Sequence, residues 1–301
     1  MPLTSLPGIL DVALIRGARA RPDAALDLVI EIPHGATDTA DFTTAAAELT
    51  SPLPEGLIEF FWVNTDAGAP ELGLAIAERL VADHPTRSIA VLRCRIPRTL
   101  IDCNRRTDAS PADLAAGRVT AAVAPWITTT EDRARLVAHH RRYVTAVDAA
   151  LAALAPHGAL VMLHSYAPRT IDVEVDLQIV AALRRAYHPD RAASWPLRPE
   201  VDVIDRAADG TRHSPPRVIA ALHRELSALG IAPGDSATYP LHPGTLAWDH
   251  AVAHPGRAIV LEIRRDLLTT RFIPLAEPAI DPARVAHLAA PLARAFGAFW
   301  S

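Results

Sequence analysis

Short apolar runs rich in β-branched residues alternate along this chain with longer stretches rich in alanine and arginine. Five apolar runs are interpreted as strands, at residues 26–32, 58–63, 89–96, 160–163 and 258–263. In four other stretches Leu, Ile or Val returns every three or four residues, which predicts helices at residues 70–82, 131–155, 176–187 and 216–229. The alternation predicts an α/β fold of three layers, with helices flanking a mixed, mostly parallel central sheet.

A single domain over residues 1–301 is the simplest arrangement of these elements. No internal repeat is visible, and the proline-rich segments 51–54 and 195–199 have no long polar tract beside them. Such segments are typical of loops at the edge of a sheet rather than of linkers between domains.

The charges and the apolar runs exclude several partners. The formal charge is only −4, and all 30 basic residues are arginines, scattered rather than clustered, which argues against nucleic acid or an anionic membrane. No apolar run approaches the roughly 20 residues that cross a bilayer, and no signal-peptide pattern opens the chain. We therefore expect a cytoplasmic protein with a small-molecule substrate.

Several kinds of chemistry lack their usual residues. Without lysine, neither a lysine Schiff base nor the usual P-loop can form, and no G-x-G-x-x-G segment occurs. A serine nucleophile elbow is also missing, since Ser165 directly follows His164 and no G-x-S-x-G occurs. Cys94 and Cys103 lack a C-x-x-C spacing and are expected to be buried thiols.

His34 and His164 each end an apolar run, where a rigid strand fixes the direction of an imidazole. A single histidine at a strand end is more often structural, but a pair suits zinc, which in catalytic sites commonly binds two histidines, a carboxylate and a water. Asp66, Asp38 and Glu71 are candidates for the carboxylate. Because ligands of α/β sheets bind at the carboxyl ends of strands, we expect these polar residues to converge.

Glu262 interrupts the apolar strand at residues 258–263, where a charge is costly unless it is paired or functional. One interpretation is an ion pair with a neighbouring arginine, or simple exposure to solvent. The other makes Glu262 the general base and acid of a hydrolytic reaction. Arg264, two residues later, is a candidate for substrate binding.

Asp102, Asn104 and Arg105 form a polar group after the third predicted strand. Arginine and asparagine together can hold a substrate carboxylate, although an isolated segment of this kind more often forms a polar turn. Tyr239 and His242, in a turn-rich loop before the last strand, are candidates to close over a substrate or to stabilise an oxyanion.

Taken in order, these segments resemble the N-formylglutamate amidohydrolases over residues 32–268. The matching pieces are Pro33-His34-Gly35, Thr65-Asp66, Ile101-Asp102-Cys103-Asn104-Arg105, His164-Ser165, Pro240 with Gly244, and residues 261–267. Two pieces are also similar to the zinc carboxypeptidases. His164-Ser165-Tyr166 matches their last zinc ligand, and Asn104-Arg105 matches their carboxylate-binding pair.

The resemblance implies a phosphorylase/hydrolase-like, zinc-carboxypeptidase-like fold. It also implies Zn²⁺ on His34 and His164, Glu262 as the general base, and Asn104 with Arg105 on the substrate carboxylate.

The chain departs from both family patterns near the site. Thr37 stands where the carboxypeptidases have their glutamate ligand, and Asp66 is preferred as the middle ligand because its Thr-Asp pair resembles the formylglutamate enzymes. Residues 67–68 and 241–243 also differ from the formylglutamate pattern, at positions where a substrate would be recognised. The resemblance therefore leaves open an acyl group other than formyl, or an amino acid other than glutamate.

The sequence thus predicts a zinc-dependent amidohydrolase that cleaves the amide bond of an N-acyl amino acid, N-formyl compounds included, or of a related carboxylate-bearing amide. Peptide cleavage in the manner of a carboxypeptidase is one alternative. A non-catalytic relative that keeps the fold as a binding protein is the other.

Overall fold

The computed structural model describes residues 3–110, 112 and 120–300. Within them, seven strands form one sheet in the spatial order β1-β3-β2-β4-β7-β5-β6. Their bounds are β1 (Leu10–Arg16), β2 (Leu26–Ile32), β3 (Ser88–Cys94), β4 (Leu154–Tyr166), β5 (Val201–Val203), β6 (Gly234–Asp235) and β7 (Ala258–Arg264). The four middle strands, β3, β2, β4 and β7, run parallel, whereas β1 and β5 are antiparallel to β3 and β7.

Helices cover both faces of the sheet. Their bounds are α1 (Thr39–Ala47), α2 (Leu57–Asn64), α3 (Ala69–Asp83), α4 (Thr130–Ala152), α5 (Ile179–Ala186), α6 (Pro189–Ala192), α7 (Pro216–Ser227), α8 (Leu246–Ala253) and α9 (Pro282–Phe296). Alternate residues of the central strands feed two apolar cores. One core holds side chains of α2, α4, α5 and α8, and the other those of α3, α7 and α9. The predicted fold class, a mixed sheet between helical layers, is confirmed.

The strand predicted at residues 58–63 is wrong, because this segment lies within helix α2. Leu57, Phe60 and Phe61 are the buried side chains of α2, and their spacings of three and four residues place them on one side of a helix. A short apolar run does not distinguish a buried strand from a buried helix by its periodicity. Packing against the core decides between them here.

The parallel strands bring their carboxyl ends to one edge of the sheet. His34 follows the end of β2 by two residues, and His164 lies opposite Glu262 in the register of β4 with β7. Asp102 follows β3 and Glu262 lies in β7, whereas Asp66 follows α2 and not a strand. Among the described helices, none is long and apolar enough to cross a membrane.

Candidate active site

A buried cluster of His34, Asp66 and His164 lies at the carboxyl edge of the sheet. The Nδ1 atoms of His34 and His164 lie 3.2 and 2.9 Å from Asp66 Oδ2. The segment after α2 is fixed to the turn after β2, because the Asp66 N–H donates to the His34 carbonyl at 3.2 Å and Thr65 Oγ1 donates to the Ala36 carbonyl at 2.6 Å. One ligand atom from each of the three cluster side chains lies within 4.8 Å of the others.

The donor set of this cluster suits a metal ion. Burial alone would raise the pKa of the Asp66 carboxyl, but His34 and His164 lower that pKa below its usual range. Burial likewise opposes a charge on His164, yet its hydrogen bond to Asp66 raises the pKa of the imidazole. Two imidazoles around an ionised carboxylate form a set that zinc and related transition metals prefer.

Asp102 orients His34 from the opposite side of the ring. Its Oδ1 lies 2.8 Å from His34 Nε2 and accepts the Asn104 N–H at 2.8 Å, while its Oδ2 accepts from Arg98 Nε at 3.1 Å. Burial alone would raise the pKa of Asp102, but Arg98 and Arg105 hold it well below the usual range. A carboxylate on Nε2 keeps the proton there and leaves Nδ1 as a ligand, which is a common arrangement behind metal-bound histidines.

The two alternative carboxylate ligands lie outside the cluster. Asp38 is the N-cap of α1 and pairs with Arg93 at 2.9 Å and Arg95 at 3.2 Å. Glu71 lies in the first turn of α3 and does not join the two histidines. In the part of the chain that the structure describes, Asp66 is the carboxylate that contacts both imidazoles.

A cavity of about 720 Å³ opens beside the cluster, on the side of the sheet covered by α2 and α5. Seven of the site residues expected from the sequence line it, namely His34, Asn104, Arg105, His164, Tyr239, His242 and Glu262. Asp66 and Asp102 lie behind this surface. Arg264 is directed elsewhere, since its guanidinium donates to Asp266 Oδ1 at 2.7 Å and to the Arg198 carbonyl at 3.0 Å.

One carboxylate oxygen of Glu262 accepts a hydrogen bond, and the other has no partner. The Tyr239 hydroxyl donates to Oε1, whereas Oε2 is buried with no hydrogen-bond partner among the described residues. Burial raises the pKa of Glu262. A buried carboxylate oxygen without a partner, on a residue that lines the cavity, is a suitable acceptor for a proton from water.

Four further arginines line the cavity and were missed by the sequence analysis as site residues, namely Arg98, Arg169, Arg198 and Arg265. Arg98 pairs with Asp102 four residues later, a spacing that could have identified it. The Arg198 guanidinium lies over the Tyr166 ring, 4.9 Å from its centroid, and had no local signal in the sequence.

Arg265 is the last of these four arginines, and it connects two segments that carry cluster residues. Its guanidinium donates to the Val63 carbonyl at 2.6 Å, at the end of α2, and to the Ser165 carbonyl at 3.3 Å, beside His164. Burial lowers the pKa of Arg265 to about 10, so the side chain still carries its charge at neutral pH.

The fold and this site define an α/β protein whose buried His-Asp-His cluster could hold a metal ion at the edge of a large cavity. A sequence model described as N-formylglutamate amidohydrolase matches residues 26–269. The chain therefore belongs to the N-formylglutamate amidohydrolase family, as the resemblance of its segments implied.

Solved structures extend the comparison. N-formylglutamate amidohydrolase from Ralstonia eutropha JMP134 is similar with a TM-score of 0.55 and 17% identity, covering 95% of this chain and 97% of that one. A gene product of Agrobacterium tumefaciens has a TM-score of 0.45 at 17% identity, covering 96% and 94% of the two chains. A metallo-carboxypeptidase from Pseudomonas aeruginosa has a TM-score of 0.40 at 14% identity, covering 95% and 60%. The first shows a shared fold. No curated protein sequence matches the chain significantly.

Proposed function

We propose that this protein is a zinc-dependent amidohydrolase that releases an amino acid from an N-acyl amino acid or a related carboxylate-bearing amide. The observation that carries this proposal is the convergence of His34, Asp66 and His164 in one buried cluster. Glu262, whose Oε2 has no hydrogen-bond partner among the described residues, lines the same cavity, which is large enough for a small molecule. Membership of the amidohydrolase family supports the choice of an amide bond.

His34 Nδ1, Asp66 Oδ2 and His164 Nδ1 are the atoms that would hold the zinc ion. Zinc bound there would supply a Lewis acid for the scissile carbonyl and lower the pKa of a bound water toward about 7. Asp102 would hold the His34 ring in place from behind.

Glu262 carries the proton transfers. Its Oε2 accepts a proton from the attacking water, whose oxygen forms a bond to the acyl carbon. The C–N bond then breaks, and Glu262 delivers the proton to the departing nitrogen, so that one water is consumed per amide cleaved. The Tyr239 hydroxyl donates to Oε1 and so fixes the orientation of the carboxylate, while Oε2 has no hydrogen-bond partner in the described part of the chain.

The cavity favours an anionic substrate. Five arginines line it, at positions 98, 105, 169, 198 and 265, and Glu262 is the one acidic residue among the described lining residues. Asn104 Oδ1 accepts the Ala247 N–H at 2.9 Å, which leaves the amide NH₂ as a donor, and the Arg105 guanidinium, whose Nε lies 3.8 Å from Asp102 Oδ2, also lines the cavity. Asn104 and Arg105 would therefore grip the substrate carboxylate.

Metal content measured by elemental mass spectrometry tests this proposal. The wild-type protein should hold one zinc per chain, and His34→Ala, Asp66→Ala and His164→Ala should each lose it. Asp38→Ala is the matched control, because this carboxylate caps α1 outside the cluster, and it should retain the metal. Zinc-loaded wild type should also hydrolyse N-acyl amino acids. A chain that binds no zinc when the metal is supplied would instead be a relative that keeps the fold as a binding protein.

A further inference from the structure

One side of the cavity is an apolar wall built by three elements. Helix α2 contributes two side chains, helix α5 two, and the segment at residues 171–175 three, namely Phe60, Val63, Ile179, Leu183, Ile171, Val173 and Val175. We refer to these seven residues as the acyl wall. None of them carries a polar side chain, in contrast to the arginines elsewhere in the same cavity.

The segment at residues 171–175 has a pattern that directs its apolar residues inward. Ile171, Val173 and Val175 line the cavity and are half-buried, whereas Asp172 and Glu174 between them are exposed. An extended chain points successive side chains in opposite directions. The alternation therefore gives this segment one apolar side toward the cavity and one acidic side toward solvent.

The acyl wall and the proposed carboxylate anchor, Asn104 with Arg105, line the same cavity as His34 and His164 and belong to different segments of the chain. Val63 ends the wall three residues before Asp66, which contacts Nδ1 of His34. Asp102, which leads into Asn104 and Arg105, contacts Nε2 on the other side of the same ring. The cavity therefore offers a substrate charged groups for its carboxylate and a separate apolar surface for its acyl group.

We propose that the substrate is an N-acyl amino acid whose acyl group is an apolar chain of several carbons, packed against the acyl wall. This substrate class rests on the proposed amidohydrolase function. A formyl group has a single carbon and would leave the wall in contact with water, whereas a cavity of 720 Å³ is of a size that holds larger ligands. Hydrolysis releases an apolar carboxylic acid and a free amino acid.

The first test compares kcat/KM of the zinc-loaded enzyme on N-formyl, N-acetyl, N-butanoyl and N-hexanoyl derivatives of one amino acid. Burial of each added methylene should raise kcat/KM about fourfold until the wall is covered. A second series holds the hexanoyl group fixed and varies the amino acid from alanine to leucine and phenylalanine, with little expected change. Fastest cleavage of the N-formyl compound, or a stronger dependence on the amino-acid side chain, would overturn the proposal.

The second test uses a matched pair of variants in residues 171–175. Val173→Asp places a carboxylate in the acyl wall and should lower the ratio of kcat/KM on the hexanoyl substrate to kcat/KM on the formyl substrate to about the acetyl-to-formyl ratio of wild type. Glu174→Asp introduces an aspartate at the neighbouring, exposed position and should leave kcat/KM on the hexanoyl and formyl substrates as in wild type. Equal effects of the two variants would contradict the role of the wall.

Binding measurements distinguish a failure of this inference from a failure of the proposed function. If the zinc-loaded protein hydrolyses none of these amides, the amidohydrolase proposal fails, and calorimetry on the same compounds still tests the wall. Tighter binding of the N-hexanoyl than of the N-formyl amino acid, lost in Val173→Asp, supports an apolar acyl group. Equal dissociation constants for the two compounds overturn it.

Discussion

His34 lies between two carboxylates that the sequence analysis assigned to different tasks. Asp66 contacts Nδ1 and Asp102 contacts Nε2 of the same imidazole. Asp66 was preferred as a metal ligand, and among the described carboxylates it is the one that contacts both imidazoles of the cluster. Asp102 was expected to bind substrate, but it lies behind the cavity surface among His34, Arg98 and the Asn104 N–H. A sequence segment shows which polar residues follow a strand, but not toward which neighbour each side chain turns.

Replacing Glu262 by Gln removes the proton acceptor while keeping the shape of the side chain. We expect kcat to fall by about 10²- to 10⁴-fold, the usual contribution of general acid-base catalysis, with zinc content unchanged. Steady-state kinetics together with elemental analysis check both parts. Wild-type turnover in this variant would exclude Glu262 as the general base.

Replacing Arg105 by Ala removes a cation from the proposed carboxylate anchor. Since hydrogen bonds to charged groups contribute about 1.5–3 kcal/mol, we expect KM for an N-acyl amino acid to rise roughly 10- to 100-fold. The control is Arg79→Ala on α3, whose exposed guanidinium pairs with Asp83 at 3.1 Å and does not line the cavity, and its KM should stay near that of wild type. The anchor assignment fails if Arg105→Ala cleaves the acid and its uncharged amide with the wild-type preference.

At the scale of single elements, α2 has the largest consequence for the site. The segment was predicted to be a strand ending before Asp66, and as a helix it delivers the same aspartate to the cluster. The helix also places Phe60 and Val63 in the cavity wall. The local pattern was compatible with both, and burial of Leu57, Phe60 and Phe61 in one core selected the helix.

Helix α4 offers a prediction on pH and stability. Asp132 Oδ2 accepts from the Ser51 hydroxyl at 2.7 Å and from the N–H groups of Ser51 and Thr50, at 2.6 and 2.9 Å. These bonds, that of the Ser51 hydroxyl first, lower the pKa of Asp132 in the folded protein. A lowered pKa means that the carboxylate stabilises the fold fully above its unfolded value, about pH 4, and less as the pH falls through the folded value.

We therefore expect Asp132→Asn to lower the urea midpoint at pH 7, and the difference from wild type to narrow below about pH 4. Unfolding curves at a series of pH values measure this. Asp148→Asn is a control in the same helix, because this carboxylate is exposed, and its midpoint should follow that of wild type. If the urea midpoints of Asp132→Asn and wild type differ by the same amount at all pH values, the charge of Asp132 is not the cause of the lost stability.

At the scale of the whole molecule, the parallel sheet explains why distant segments meet. His34, Asp102, His164 and Glu262 come from or follow β2, β3, β4 and β7, whose carboxyl ends share one edge. Arg265 then fixes the end of α2 to the end of β4 through two carbonyl groups. The cluster therefore depends on the assembled sheet and on the helix packed against it.

A metal that binds this assembled cluster must stabilise the folded chain. Zinc should raise the unfolding temperature, with a stabilisation of about 4 kcal/mol when free zinc is a thousand times its dissociation constant, because the unfolded chain does not present the site. Differential scanning fluorimetry with zinc and with a chelator measures the shift. His164→Ala should show none, and a wild-type unfolding temperature insensitive to both additions would contradict a zinc site.

The sequence by itself determined the α/β class, most of the central strands, and the identities of His34, His164 and Glu262 as residues that would converge. It could do so because apolar periodicity is local, and because parallel strands necessarily bring their carboxyl ends together. Only the tertiary structure decided that residues 57–64 are a helix, that Asp66 rather than Asp38 or Glu71 joins the histidines, and that Arg264 turns away from the cavity. These outcomes depend on which side chains meet across elements far apart in the chain, and local pattern carries no record of such contacts.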